Sequence, residues 1–210
     1  MRKRPSQGRS RKRVDQIFAA LLAILKRDGH EAVTTSRIAE EAGVPIASIY
    51  QYFTDKEEIL ACLLNAWLAR VHEVMDRVEE AYYLKVDWET FFDRLNAAVA
   101  TDARIQPELP LHSSLVIEAE LTRAALQSQR LSKVENQHRS AIAHRLAGYL
   151  KGYGSKWPQQ RLIELSLLFY DLGVTFDLQE AHKSPAVLKR LDNYRGIVLR
   201  ALFGESLGDG

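Results

Sequence analysis

The chain has 210 residues, of which 46% are hydrophobic and 27% charged, with a formal net charge of +2. That length is enough to bury a real core as one large or two small domains, and the composition excludes a disordered chain or a helical membrane protein. The charge is unevenly laid out: residues 1–13 carry seven of the 29 basic residues and no acidic one, leaving 22 basic against 27 acidic in the rest. A basic end on an acidic body suggests either a polyanionic partner at that end or a solvated tail.

In chain order, a flexible basic arm is expected over residues 1–10, and the first helix from about Arg11 to Asp28. Val14, Ile17, Phe18, Leu21, Ile24 and Leu25 have the 3.6-residue period of an amphipathic helix. The basic segment and the apolar run Ile17–Leu25 imitate a secretion signal. However, Lys26, Arg27 and Asp28 stand where a cleavage site belongs, and the run is far shorter than the ~20 residues a bilayer span needs. The expectation is a cytoplasmic protein that does not enter a membrane. The single cysteine, Cys62, sits in an apolar helical pattern and reads as a buried structural thiol in a reducing compartment.

Gly29 closes the first helix as a C′ residue. Two short helices are predicted at about Thr35–Ala42 and Pro45–Tyr52. Thr54-x-x-Glu57 reads as a capping box opening a long fourth helix, whose apolar stripe from Ile59 to Val78 carries it to about Ala81. A fifth helix is expected from Trp88 to Ala100, and Pro107 and Pro110 then break the pattern. Helical signal returns strongly from Leu121 to Leu150. Two last helices are predicted at about Pro158–Gln179 and Pro185–Phe203, each with Pro near its start. No stretch alternates as a strand does, so the fold class is all-α, with about nine helices.

The informative stretch is Gly29–Leu60. Thr34 or Thr35 supplies an N-cap, and Ile38, Ala39 and Ala42 form the apolar face of a short helix. Gly43 permits the positive φ of a tight interhelical turn, and Pro45 pre-sets the next helix. Ile49 and Phe53 point back into a small core, and small Ala39 lets the two helices cross closely. This is helix-turn-helix geometry over about residues 34–53. It leaves Ile46, Ala47, Ser48, Tyr50, Gln51 and Tyr52 on outward or N-terminal positions of the element that such folds place in the major groove.

Over Val14–Leu64 the sequence resembles the TetR family. The likeness is specific at Ile38–Ala39, Ala42–Gly43–Val44, Tyr50, Tyr52–Phe53 and Lys56–Glu57. Pro45 and Ala47 stand where the family often has Ser and Gly, so a serine phosphate contact is missing. The resemblance implies a DNA-binding domain over residues 11–57 and a helical ligand-binding and dimerisation domain over 58–210. It implies phosphate contacts from Thr35, Ser36, Tyr50, Tyr52 and Lys56. Ile46 and Ala47 suit thymine methyls, Gln51 suits adenine, and Arg37 suits a base or a phosphate. With Pro45, these form the candidate DNA-facing set. The implied partners are a palindromic operator, a second copy joined through the last two helices, and a small apolar or aromatic effector.

Candidate effector contacts are Leu64, Trp67, Phe91, Phe92, His112, Tyr149 and Phe169, because an apolar cavity with a few polar groups suits a small ligand. Plain core packing is the other reading of each. The six histidines (30, 72, 112, 138, 144 and 182) show no metal-binding spacing, and there is neither a phosphate-cradling loop nor a nucleophile elbow. The sequence thus points away from an enzyme and implies no cofactor. The competing reading is an architectural or constitutive DNA-binding protein without ligand sensing.

Overall fold

The computed structural model describes residues 8–102, 115–180 and 196–201. Residues 1–7 of the arm expected over 1–10, the Pro107–Pro110 break, His112 and most of the last predicted helix lie outside the described residues; residues 8–10 of that arm are already helical. Among the described residues, helices run in chain order as α1 (Gly8–Asp28), α2 (Thr35–Glu41), α3 (Ile46–Tyr52), α4 (Lys56–Tyr82), α5 (Trp88–Asp102), α6 (Leu115–Gln127), α7 (Gln129–Gly152) and α8 (Gln159–Glu180). A single 3-10 turn, His30–Ala32, separates α1 from α2, and residues 196–201 are helical. The described residues contain no strand, and none of their helices is long and apolar enough to cross a membrane.

Two apolar clusters hold these helices together. The first gathers Ile17, Leu21, Ile24 and Leu25 of α1 with Ile38, Ile49 and Phe53 around α2 and α3. The first half of α4 joins it through Ile59, Leu60, Leu63, Leu64 and Leu68, and α6 through Ile117 and Leu121. The second cluster takes Val71, Val74, Met75 and Val78 from the later half of α4, with Phe91 and Leu95 of α5, Ile142, Ala147 and Leu150 of α7, and Leu162 of α8. Full burial of such side chains contributes about 1.5–3 kcal/mol each. Every member of the predicted α4 stripe is therefore committed, and α4 runs from one cluster into the other. Half-buried Trp67 packs on both.

Local chemistry moves two of the expected boundaries. The cap of α4 is Asp55 rather than Thr54: the Asp55 carboxylate accepts from Glu58 N at 2.8 Å, and Thr54 N donates to Glu58 Oε2 at 2.6 Å. An ionised carboxylate is the better acceptor at a helix N-terminus, so the box is displaced by one residue. The continuous signal from Leu121 to Leu150 covers two helices. Ser128 adopts extended backbone between them and caps α7, its Oγ accepting from Leu131 N. Apolar periodicity persists through a single-residue corner and so gives no sign of it.

Candidate nucleic-acid interface and effector region

The helix-turn-helix is built by local hydrogen bonds around a small core. Thr34 Oγ1 accepts from Arg37 N at 3.1 Å and caps α2. Gly43 takes φ +63° in the turn, where a side chain would strain the backbone. Val44 N then donates to Ala39 O at 2.9 Å and Ser48 N to Pro45 O at 2.8 Å, fixing the entry into α3. Ile38, Ala39, Val44, Ile49 and Phe53 are buried, and Phe18 of α1 meets the Phe53 ring edge-on at 5.9 Å. With that face spent on packing, α3 exposes Ile46, Ala47, Tyr50 and Gln51, and Pro45 is exposed just before it. Ser36 on α2 and Lys56 at the start of α4 are exposed as well.

Thr35 and Tyr50 are brought together across the two helices, their hydroxyls 3.2 Å apart. Arg37 is held back toward α1: it donates to Asp28 Oδ2 at 2.6 Å and to Ala32 O at 3.3 Å. Tyr52 departs from the outward position expected of it. Its ring is 7% exposed, and its hydroxyl donates to Ser10 Oγ at 3.3 Å, which attaches the first turn of α1 to the end of α3. The exit of α3 turns into the core at Phe53, and Tyr52 is carried inward with it. Ser10 offered no sequence signal, because a lone serine in a basic stretch reads as solvated.

Besides the apolar packing of α6, polar contacts from α6 and α7 reach this assembly. Glu120 of α6 accepts at Oε2 from His30 N and pairs with His30 Nδ1, both at 2.7 Å, and also pairs with Arg123. Arg130, in the first turn of α7, donates to Asp55 Oδ1 at 2.8 Å.

The expected effector residues are divided by the structure. Leu64 lies in the first cluster, whereas Phe91, Phe92 and Tyr149 lie in the second, with Phe169 packed against it. The Phe91 centroid is 5.0 Å from Tyr149 and 5.4 Å from Phe92, so these rings pack on one another. The Tyr149 hydroxyl donates to Glu79 Oε2 at 2.6 Å and receives Arg145 Nε at 2.5 Å. Burial, and then the Glu79 carboxylate, hold that phenol above its ordinary pKa. Trp67 Nε1 is buried without a partner. Polar contacts also link α7 to α4 and to α8. His72 Nε2 and His138 Nδ1 are 3.1 Å apart, and Tyr170 of α8 donates to Glu135 at 2.5 Å.

Residues 17–63 match the family model described as bacterial regulatory proteins, tetR family. The chain is 28% identical over 137 residues to an HTH-type transcriptional repressor, KstR, of Mycobacterium tuberculosis, covering 65% of this chain and 60% of that protein. It is 31% identical over 109 residues to KstR of Mycolicibacterium smegmatis, covering 52% of this chain and 50% of that protein. The matched segments thus span 60% or less of these relatives' lengths. In fold it is similar to a TetR-family transcriptional regulator from Mesorhizobium loti, with a TM-score of 0.66, 17% identity, and coverage of 93% of this chain and 98% of that one.

Proposed function

We propose that this chain is a DNA-binding regulator of the TetR family, that it represses transcription as a homodimer on a palindromic operator, and that a small-molecule effector releases it. The observation that carries the reading is the division of α3: Ile49 is buried and anchors the helix, while Ile46, Ala47, Tyr50 and Gln51 are exposed beside it. A short helix held by its apolar face and bare on the other suits insertion into a major groove. In this reading Thr35, Ser36, Tyr50 and Lys56 meet phosphates, and Ile46, Ala47 and Gln51 read base edges. Arg37 reaches DNA only by leaving Asp28. Tyr52 contributes by fixing α1 against α3, and its hydroxyl reaches a phosphate only if it leaves Ser10.

Dimerisation through α8 and the helical segment near the C-terminus is supported by exposed apolar surface. Leu168 and Leu172 lie one turn apart on α8 and are 52% and 40% exposed, and Ile197 is 42% exposed. A symmetric pair of such faces would form a four-helix interface. Two reading heads must then stand about 34–36 Å apart, one turn of DNA. Effector release requires a state with another spacing that the effector prefers. The α6–α7 corner is placed to carry that change, because Glu120 and Arg130 attach it on either side of the helix-turn-helix.

The test is a mobility shift with the DNA just upstream of the protein's own coding region, with and without unlabelled competitor. Retarded complexes that resist random DNA and yield to the specific fragment support the reading. Equal competition by any DNA indicates a constitutive architectural protein instead.

A further inference from the structure

We propose that the groove between α4 and α5 binds an amphiphilic monoanion, an acidic head group on an apolar chain, and that this is the effector class. The second half of that statement rests on the proposed regulatory function. The groove has a volume of about 370 Å³, within the roughly 300–1,000 Å³ range of small-ligand sites. Its α4 wall comes from residues 74, 77, 78 and 82, and its α5 wall from 94, 97 and 98. Both sets follow helical spacing, so two stripes face each other along the groove. Val74 and Val78 are buried and make an apolar floor, and Ala97 and Ala98 are too small to fill the space above it.

The polar groups are of one sign. Arg77 and Arg94 line the groove with Tyr82, and among the described residues no carboxylate does. This is uncommon on a body that, beyond residue 13, carries more acidic than basic residues. Arg94 holds its guanidinium carbon 4.4 Å from the centre of the Tyr82 ring. Stacking fixes the plane of the guanidinium and leaves its edge donors for an anion, in the fork geometry that matches a carboxylate. The stacked Arg94 guanidinium over an aliphatic floor thus suits an anionic head with an apolar tail, and it disfavours a cation or a neutral polar ligand. An occupant here lies against α4, the helix whose other end carries Lys56, so it acts on the element that joins the groove to the reading head.

The probe is decanoate, below its micelle-forming concentration, titrated calorimetrically into the full-length protein, with 1-decanol as the neutral match. The expected result is one saturable decanoate site per chain, with decanol weaker by about tenfold or more. Arg94→Gln should weaken decanoate by about tenfold, and Ala97→Trp should block it. Arg161→Gln, which removes an exposed charge from α8, should leave the affinity unchanged. Absence of saturable binding, equal affinity for decanol, or wild-type affinity in Arg94→Gln overturns the site. Decanoate should also release upstream DNA from the wild type but not from Arg94→Gln. A protein that binds both yet keeps its DNA overturns the effector assignment. Failure to shift DNA without decanoate would instead overturn the regulatory function itself, so the two failures are distinguishable.

Discussion

Glu120 Oε2 lies 2.7 Å from the backbone nitrogen of His30 and 2.7 Å from its Nδ1, so one carboxylate oxygen of α6 engages two groups of the turn before α2. Gly29 makes the approach possible. It takes φ +78°, and a Cβ there would come within 3.0 Å of that same oxygen. The side chains of His30 and Glu120 are only 9% and 12% exposed, which makes this contact far less accessible to water than the Arg130–Asp55 pair, where both side chains are 46% exposed.

Glu120→Ala should therefore lower stability by about 1–3 kcal/mol, because the His30 N–H is left buried without an acceptor. Urea unfolding measures it. Burial pushes the Glu120 carboxyl up, but hydrogen bonds from His30 and Arg123 outweigh burial and hold it below the usual value of 4.5. The stabilisation is thus complete above about pH 4.5 and is lost as pH falls through the lower folded value. Glu120→Gln should remove that acid-side loss.

The His72–His138 pair gives a pH dependence in a different window. Burial, and then neighbouring His72, hold His138 down to about 4, from an ordinary 6.5. Burial and then Arg145 also lower His72. Between pH 6.5 and 4 the unfolded chain binds a proton that the folded one refuses. Stability is thus complete above 6.5 and declines toward 4, by on the order of 3 kcal/mol for His138. The Tyr170 ring packs on His138, and Arg145 and Asp76 act on His72 in opposite directions; burial raises Glu135, the hydrogen-bond partner of Tyr170, which opposes the trend near its own titration. The slope of unfolding free energy against pH from 6.5 to 5 should be visibly flatter in His138→Phe than in the wild type. Equal slopes would show that this histidine is not the group responsible.

The reading head makes a separable prediction. Lys56→Ala should weaken binding on every DNA sequence alike and reduce the slope of log affinity against log salt by about 0.9. Tyr50→Phe, which removes a hydroxyl 3.2 Å from Thr35, should also act uniformly. Gln51→Ala and Ile46→Ala should instead change which operators are preferred. A Lys56→Ala protein with an unaltered salt slope would remove the phosphate contact from the account.

Residues 2–7 contain three cations, Arg2, Lys3 and Arg4. Deleting them leaves Ser10 to hold Tyr52, so α3 stays anchored. If each cation meets a phosphate, the salt slope should fall by up to about 2.7. An unchanged slope would make the arm a solvated tail.

Much of this was legible in the sequence where one physical rule governs a position. The Ile59–Val78 stripe, the Thr34 cap and the Gly43 turn follow from burial, capping and φ, and each is local. What was not legible depends on partners distant in the chain. Tyr52 looks outward until Ser10, 42 residues away, receives its hydroxyl. Leu64 and Phe91 look alike as apolar helix positions, yet they fall in different clusters because α4 passes from one to the other. The Arg77–Arg94 groove needs two helices in register, and no spacing within either one reveals it.

The last prediction concerns how the head is aimed. The helix-turn-helix lies between two anchors, His30 before α2 and Asp55 after α3, and both are attached to the corner between α6 and α7. From Lys56, α4 extends 27 residues, roughly 40 Å at 1.5 Å per residue, so a small tilt at its far end displaces the head unless the corner resists. The buried Glu120–His30 contact should supply most of that resistance, since exposed ion pairs contribute about 0–1 kcal/mol. Loss of about 1–3 kcal/mol from one arrangement raises the population of alternatives roughly 5- to 150-fold. Spin labels at Glu40→Cys, an exposed α2 position, in a Cys62→Ser background report the distance between the two heads of a dimer. The wild type should give a narrow distribution, Arg130→Ala one nearly as narrow, and Glu120→Ala a broad one, with the double variant broader still. Operator affinity should fall in the same order, because both heads must meet grooves about one turn apart. A double variant whose distribution stays as narrow as the wild type would show that apolar packing of α1 on α6 aims the head without these ties.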